Sequence, residues 1–596
     1  MRRKLHSNRD IADALSEIGE LLAAQGVAFK PRAYERAAEL IRNLPQDLGE
    51  LYRKGGIRAI LGIPGIGASL AEKIEEAVTK GTISYLEELR RELPVDIASL
   101  VRVQGLGPKS IVKLYRALGI RTIADLERAA EKGEIRKLEG FGAKKEQEIL
   151  RAIRFLRQGA GRHILGFVQE EANQIVQYLQ KVLGPRAIVT LAGSARRKRE
   201  TVGDFDILAA LPPLPPKKSE QLARTAMDAF VAMPNVAYVT AHGTTKSSVR
   251  LTSGIDVDLR IVPRESYGAA LHYFTGSKAH NIALREIAIQ QGMKLNEYGL
   301  FRVRGKREVK IAGSSEEEIY AALGLDVIPP ELREDCGEIE AARQHTLPSL
   351  IPYGSLQGDL QVQTNWSDGK ASIEEMAREA ARYGLRYIAI TDHTKRLAMT
   401  HGLDARRIQK QWLEIDRVNK KLRRQGVPVT VLKGTECDIL KDGSLDLPDH
   451  ILAKLDVVGI SVHSHFRLSK KEQTARVLRA MENPHVHILF HPTTRIIHRR
   501  EPIEIDMEAV LVQAKKKKVI LEIDAFPDRS DLADVWIRRC REEGVPMVID
   551  SDAHDPSHFA YLEYGIAQAR RGWAERRHIL NTLPLAKLLA RLRPTS

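Results

Sequence analysis

Through the first 160 or so residues, apolar side chains recur at helical spacing. Ile11 to Gln25 and Ala33 to Leu44 are predicted amphipathic helices, separated by short glycine-containing turns. From about 163 to 325 the pattern becomes mixed, and Ala187 to Leu191, Asp204 to Ala210, Val236 to Ala241 and Asp256 to Val262 read as strands between helical stretches. Proline has no amide donor for a central strand, so Leu211-Pro212-Pro213-Leu214-Pro215-Pro216 is predicted as a surface connection. Periodicity fades from Ile328 to Pro352, which predicts a linker. Beyond it, Tyr387 to Thr391, Val457 to Val462, His487 to Phe490, Val519 to Ile523 and Val545 to Ile549 alternate with helical segments, the order expected of an α/β barrel.

Within the helical region one motif occurs three times: Ile63-Pro64-Gly65-Ile66-Gly67, Val103-Gln104-Gly105-Leu106-Gly107 and Leu138-Glu139-Gly140-Phe141-Gly142. These resemble helix-hairpin-helix elements. Gly65, Gly67, Gly105, Gly107, Gly140 and Gly142 would let the backbone approach a phosphate, with the amides and dipole of the next helix favouring an anion. One such turn is more often a plain helix cap. Three of them, with Lys109, Lys144 and Lys145 just downstream, favour DNA backbone binding.

Charge adds to that picture. The 596 residues carry 93 lysines and arginines against 77 acids, a formal charge of +16, which suits a polyanionic partner. The length suggests roughly three to five domains. No apolar run approaches the roughly 18 residues of a membrane span. The start, Met1-Arg2-Arg3-Lys4, lacks the apolar core of a secretory signal, and Cys336, Cys437 and Cys540 form no paired framework. We therefore expect a cytoplasmic protein without a membrane partner.

The densest chemistry lies where Gly193-Ser194 precedes Gly203-Asp204-Phe205-Asp206. Strand residues two apart point the same way, so Asp204 and Asp206 can share divalent cations while the glycine-serine turn offers donors to a triphosphate. Ile255 to Val262 alternates like a strand and brings Asp256 and Asp258, either of which meets the spacing for a third carboxylate. Two ions about 4 Å apart would serve nucleotidyl transfer. Arg196-Arg197-Lys198-Arg199 lies between the turn and the acids, near where a triphosphate would sit. An isolated D-x-D usually marks a solvated strand face; the turn beside this one reverses the odds.

Tyr273-Phe274-Thr275-Gly276-Ser277, followed by Asn281, Arg285 and Leu295-Asn296-Glu297-Tyr298-Gly299, completes a set that resembles the bacterial X-family DNA polymerases across nearly the whole chain. The resemblance implies a multidomain α/β protein: a helix-hairpin-helix N-terminal region, a nucleotidyltransferase palm with a mixed sheet, and a C-terminal PHP (polymerase and histidinol phosphatase) domain built as a distorted β/α barrel. Its boundaries would be 1–90 (lyase-like), 91–162 (fingers), 163–262 (palm), 263–328 (nascent-pair binding), 329–355 (linker) and 356–596 (PHP). It makes Asp204, Asp206 and Asp258 the ligands of Mg2+ or Mn2+, the match of Leu259-Arg260 selecting Asp258 over Asp256. Ser194, Arg197 and Gly203 would contact the triphosphate. Tyr273, Phe274 and Gly276 would pack on the sugar, and Asn281 and Arg285 would sense the minor-groove edge. The expected partners are gapped or nicked double-stranded DNA and deoxynucleoside triphosphates, with the chain a monomer.

Two further expectations follow from the same resemblance. Lys73, in Ala71-Glu72-Lys73-Ile74, stands where repair members carry a Schiff-base lysine for deoxyribose phosphate removal, with Lys30 as a companion for the 5′-phosphate; a solvated lysine that holds DNA is the equal alternative. In the barrel, Asp368, His393, Glu436, His463, His491, Asp552 and His554 match seven of the nine PHP ligands for Mn2+ or Zn2+. The family's opening Asp-Leu-His-x-His reads here Asp359-Leu360-Gln361-Val362-Gln363, so two imidazoles have become amides, which are poorer ligands for a transition metal. One metal site is then weakened, and the barrel is either an impaired 3′-to-5′ exonuclease or a DNA-holding module. Two other readings of the whole chain are a phosphoesterase with a secondary palm, and a DNA-end scaffold without turnover.

Overall fold

The computed structural model describes residues 8–27, 30–42, 48–63, 65–101, 103, 106–159, 161–305, 307–396 and 400–592. Two compact units emerge: Met1–Ala160 with His498–Arg500, and Gly161–Ile497 with Glu501–Ser596.

The first unit is helical, from Asn8–Ala24 through Ala143–Gly159, around a core that includes Leu15, Ile18, Ile41, Ile74, Ile97, Leu126 and Ile153. Among the described residues the three repeats share one hydrogen bond and one buried side chain. The amides of Ile66, Leu106 and Phe141 donate to the carbonyls of Ile63, Val103 and Leu138 at 3.1, 3.0 and 3.0 Å, and each of these three apolar side chains is buried. Gly65 and Gly140 take the left-handed conformation (φ 93° and 82°) that a glycine adopts without cost. Gly67 and Gly107 cap the helices Ala68–Lys80 and Pro108–Leu118 with no side-chain acceptor, so the first-turn amides keep their capacity for an outside anion. Gly105 lies outside the described residues.

The second unit begins with a five-stranded sheet in the order Ile188–Leu191, Asp204–Ala210, Asp256–Val262, Lys246–Leu251, Val236–His242. Only the central pair, Asp204–Ala210 with Asp256–Val262, is parallel. Helices Leu165–Leu183 and Pro216–Val231 share a core with one face, through Phe205, Val257 and Phe230. Helix Tyr267–Thr275 covers Leu208 and Ala210 on the other. The proline run leads out of the sheet into Pro216–Val231. A three-stranded antiparallel sheet, Met293–Asn296, Gly299–Arg304 and Arg307–Ala312, follows.

The segment expected to be a linker is instead packed. It carries the helix Glu338–Arg343, buries Leu332 and Ile351, and ties Glu331 to Arg570 at 2.7 Å. Seven parallel strands in sequential order, from Gly358–Val362 to Met547–Asp550, then form a β/α barrel, with a Val362–Ala553 bridge drawing the first and last strands together. Among the described residues no helix is long and apolar enough to cross a membrane.

Candidate active sites

The parallel pairing at the centre of the five-stranded sheet sets Asp204 opposite Asp256 and Asp206 opposite Asp258, so four carboxylates share one face. Their neighbours separate them. Arg250 grips Asp256 with both prongs, at 2.7 and 2.5 Å, and that hydrogen bonding holds the Asp256 carboxyl below its ordinary range. Asp258 accepts from Ser248 Oγ at 2.6 Å and lies 2.8 Å from Lys246 Nζ. Burial, and then the charges of Asp204 and Asp258, push Asp206 up to about 6. Asp204 is raised as well, by burial and then by Asp258. Crowded oxygen donors that resist ionising together suit a hard divalent cation.

The glycine-serine turn is stapled to this trio. The Ala192 amide donates to the Asp206 carbonyl at 2.7 Å, and Gly193 sits at φ 63° with the place of a Cβ only 2.5 Å from Asp206 Oδ2. A larger residue there would have to displace the carboxylate or the turn. Ser194 follows in the helical turn Gly193–Arg196, and Gly203 directly precedes the acid strand.

The basic run after the turn is matched by acids rather than left open. Arg196 pairs with Glu316 at 2.9 and 2.7 Å and with Thr275 Oγ1 at 2.7 Å, while the buried Arg333 grips Glu316 from the other side at 2.5 Å. Burial opposes ionisation of Glu316, yet the two arginines outweigh it and bring its pKa down to about 2. Arg197 donates to Glu334 at 3.0 Å and to the Thr275 carbonyl. Glu334 is shared with Arg571 of the barrel, at 3.1 Å, which also reaches the Arg197 carbonyl at 3.3 Å. Lys198 lies 3.4 Å from Glu563, and Arg199 3.8 Å from Glu334.

Arg197 thereby meets the aromatic motif about 80 residues away in sequence. Gly276 (φ 67°) would put a Cβ 3.2 Å from the Arg197 guanidinium. Arg260 lies over the Phe274 ring at 4.5 Å, and Tyr273 packs edge-on against Phe274 with an exposed face. Asn281 donates to the Tyr273 carbonyl at 2.7 Å and keeps a buried Oδ1 with no partner, while Arg285 donates to the Asn281 carbonyl at 3.2 Å. In the helical unit, Lys109 and Lys144 are exposed beside their turns. Lys73 is half-buried, with Nζ 3.2 Å from both Ser69 oxygens and 5.3 Å from the Tyr85 ring; Lys30 is exposed.

In the barrel, two groups bring three ligand atoms within 4.8 Å of one another: Asp368, His393 and His554, and His393, Glu436 and His463. Among the described residues the three sheet carboxylates do not form such a group; Asp258 accepts from Ser248 and lies beside Lys246. Asp368 stands 3.6 Å from both His393 and His554. Glu436 lies 3.2, 3.0 and 2.9 Å from His393, His463 and His491. Burial works to raise the Glu436 carboxyl, but His393 and His463 outweigh it and hold it well below the carboxylate range. His463, opposed by burial, is pushed up to about 9 by Glu436 and Asp438. His491 Nδ1 and Asp552 Oδ1 are buried with no hydrogen-bond partner, and the buried His393 Nδ1 and His463 Nε2 face Glu436 off ideal hydrogen-bond geometry. Buried imidazole nitrogens converging on carboxylates are the donor set of a divalent metal centre, and the residues fit one.

Both glutamines point into this centre. Gln363 donates to Glu436 at 2.8 Å, and the Gln361 amide, oriented as its surroundings require, donates to Glu522 at 2.5 and 3.3 Å. Sequence reading missed Glu522, Asp524 and Arg529. Arg529 lies 3.3 Å from Asp524 and 3.4 Å from Asp552, a partly buried cation among acids. The available signal was Glu522-Ile523-Asp524, a pair of acids two apart at a barrel strand end.

Comparison with known proteins accords with both halves. Family models for a helix-hairpin-helix domain match 6–83, for a SAM-like helix-hairpin-helix tandem 57–117 and 97–154, for the DNA polymerase beta thumb 270–334, and for the PHP domain 359–521. The chain is 36% identical over 588 residues to the Bacillus subtilis (strain 168) DNA polymerase/3′-5′ exonuclease PolX, covering 98% of this chain and 99% of that protein. It belongs to the bacterial X-family DNA polymerases with a PHP domain. Over 55% of its length this X-family chain is also 26% identical to Arabidopsis thaliana DNA polymerase lambda and 24% identical to human DNA-directed DNA/RNA polymerase mu, covering 62% and 69% of those proteins.

Proposed function

We propose that this X-family member is a template-directed DNA polymerase that fills short gaps during base-excision or end-joining repair. The observation that carries the reading is the register of Asp206 against Asp258, with Gly193 pressed on Asp206. In this reading Asp204, Asp206 and Asp258 hold Mg2+ or Mn2+, which when bound lowers the barrier to attack by a primer 3′-hydroxyl and neutralises charge on the leaving pyrophosphate. The chain's own residues do the rest. The turn at Gly193 and Ser194 presents amide and hydroxyl donors to the triphosphate, with Gly203 leaving the backbone room to approach. Arg197, oriented by Glu334, adds forked donors. Tyr273, Phe274 and Gly276 pack on the sugar, and Asn281 and Arg285 read the minor-groove edge of the new pair. Gly65, Gly67, Gly105, Gly107, Gly140 and Gly142, with Lys109 and Lys144, hold the DNA backbone. Domain limits of 1–90, 91–162, 163–262, 263–328, 329–355 and 356–596 belong to the same proposal. In a gapped-primer assay, Asp204→Ala with Asp206→Ala should abolish extension and spare any hydrolysis by the barrel; persistent extension would refute the assignment.

A second activity is favoured by the two converging ligand groups of the barrel: phosphodiester hydrolysis in the 3′-to-5′ direction, with Asp368, His393, Glu436, His463, His491, Asp552 and His554 holding Mn2+ or Zn2+. Gln361 and Gln363 weaken one position, since their amides donate to carboxylates that would otherwise be free for a cation. Lys73 enters as the lyase nucleophile that the resemblance implies. Borohydride trapping on a 5′-deoxyribose phosphate end tests it, and absence of an adduct returns Lys73 to DNA holding.

A further inference from the structure

Helix Leu165–Leu183 of the sheet region starts against the barrel, where Gly166 leaves so little space that a Cβ would lie 2.5 Å from Pro527. That approach sets Phe167 beside aromatic residues of the barrel mouth. Its ring centroid lies 6.4 Å from both Phe526 and Tyr561, in edge-on geometry. Phe526 is 5.2 Å from Tyr561 and from His558, and His558 and Tyr561 stack at 5.2 Å with planes 27° apart. Phe167 is nonetheless 51% exposed. Rings that served only to glue the two regions together would be covered; this one offers a face to water.

The cluster borders the barrel's ligands directly, because the backbone amide of His554 donates to His558 Nδ1 at 3.2 Å. Cations flank it, each beside an acid. Lys198 stands over the ring of Tyr564, itself 6.4 Å from Tyr561, and lies 3.4 Å from Glu563, while Lys370 is exposed 3.6 Å from Asp555. Aromatic rings with nearby cations, beside a centre fitted for a phosphodiester, are the elements of a single-strand binding surface, since every base has a face to stack and a phosphate to neutralise.

We propose that Phe167, Phe526, His558 and Tyr561 form a stacking platform for the unpaired 3′-terminal base of a DNA strand whose last phosphodiester reaches the barrel centre. The proposal rests on the hydrolytic reading of the barrel for the direction of the strand. It also gives the polymerase half a share in that subsite through Phe167.

The test uses the full chain, calcium in place of a catalytic metal, and a short oligothymidylate carrying 2-aminopurine at its 3′ end, whose fluorescence falls on stacking. Wild type should quench it. Phe167→Leu should bind about 10-fold more weakly and quench less, Phe167→Trp should restore binding, and moving the label to the 5′ end should remove the quenching. Gapped-primer extension by Phe167→Leu should match wild type, showing that the chain is folded. Equal affinity and quenching in wild type and Phe167→Leu would overturn the platform, as would quenching indifferent to which end carries the label. Hydrolysis of bis(4-nitrophenyl) phosphate, which has no base, separates the two readings. Its absence in wild type overturns the barrel chemistry, while the fluorescence arm still decides the platform.

Discussion

Replacing Gly193 by alanine perturbs the polymerase centre at its tightest contact. A Cβ at this position lies 2.5 Å from Asp206 Oδ2, whereas ordinary contact begins near 3.4 Å, so the carboxylate or the turn must give by about 0.9 Å. Alanine also resists φ 63°, at a cost of about 1–2 kcal/mol. The Asp206 main chain cannot retreat, because its carbonyl holds the Ala192 amide and its strand is paired on both sides, so the shift falls on the carboxylate. A displacement of about 1 Å at a reacting centre costs on the order of 100-fold in rate. Single-turnover extension of a gapped primer at saturating nucleotide should therefore slow about 100-fold in Gly193→Ala, with thermal unfolding lowered only as far as the local strain requires. Extension at the wild-type rate would refute the claim that the turn positions Asp206.

Arg571→Met removes a buried partner of Glu334 and Asp534, so we expect a loss of about 3 kcal/mol in thermal unfolding and a raised KM for the nucleotide with kcat little changed, as Glu334 draws Arg197 more strongly. Glu316 has a folded pKa depressed from 4.5 to about 2, so its contribution is complete above about 4.5 and is lost as pH falls toward 2. The full shift is worth about 3 kcal/mol, and the melting temperature of wild type should fall more steeply than that of Glu316→Gln as pH drops from about 4.5 to about 2, the window these pKa values set. Gln361→His with Gln363→His should raise both bound manganese and phosphodiester hydrolysis; unchanged metal content would contradict the weakened site.

The order of the chain was legible because its chemistry is local. The acid strands Asp204–Ala210 and Asp256–Val262 have the bounds read from the sequence, the second alternating throughout, and the three glycine turns announce themselves by repetition. Strands whose faces are polar were not legible. Lys246–Leu251 buries Ser247, Val249 and Leu251 on one face only, while Gly358–Val362 and Thr430–Asp438 carry Asp359, Gln361 and Glu436 into the barrel, so no apolar run marks them. The segment at 329–355 read as a linker because its anchors, Glu331 to Arg570 and the Ile351 amide to the Ala574 carbonyl, lie more than 200 residues away in sequence. The same blindness to distance hid the neutralisation of Arg196 and Arg197 by Glu316 and Glu334. Spacing also left Asp256 and Asp258 equivalent; the family match at Leu259-Arg260 chose Asp258, and in the structure the Arg250 fork sets Asp256 apart.

That distinction gives the most direct test of the polymerase assignment: the rate of single-nucleotide incorporation into a gapped primer by Asp258→Asn and Asp256→Asn, measured side by side. If Asp204, Asp206 and Asp258 carry the chemistry, Asp258→Asn loses more than about 100-fold, beyond what outer partners of a metal ligand ordinarily cost, while Asp256→Asn stays near wild type. Full activity in Asp258→Asn, or equal losses in the two variants, would contradict it.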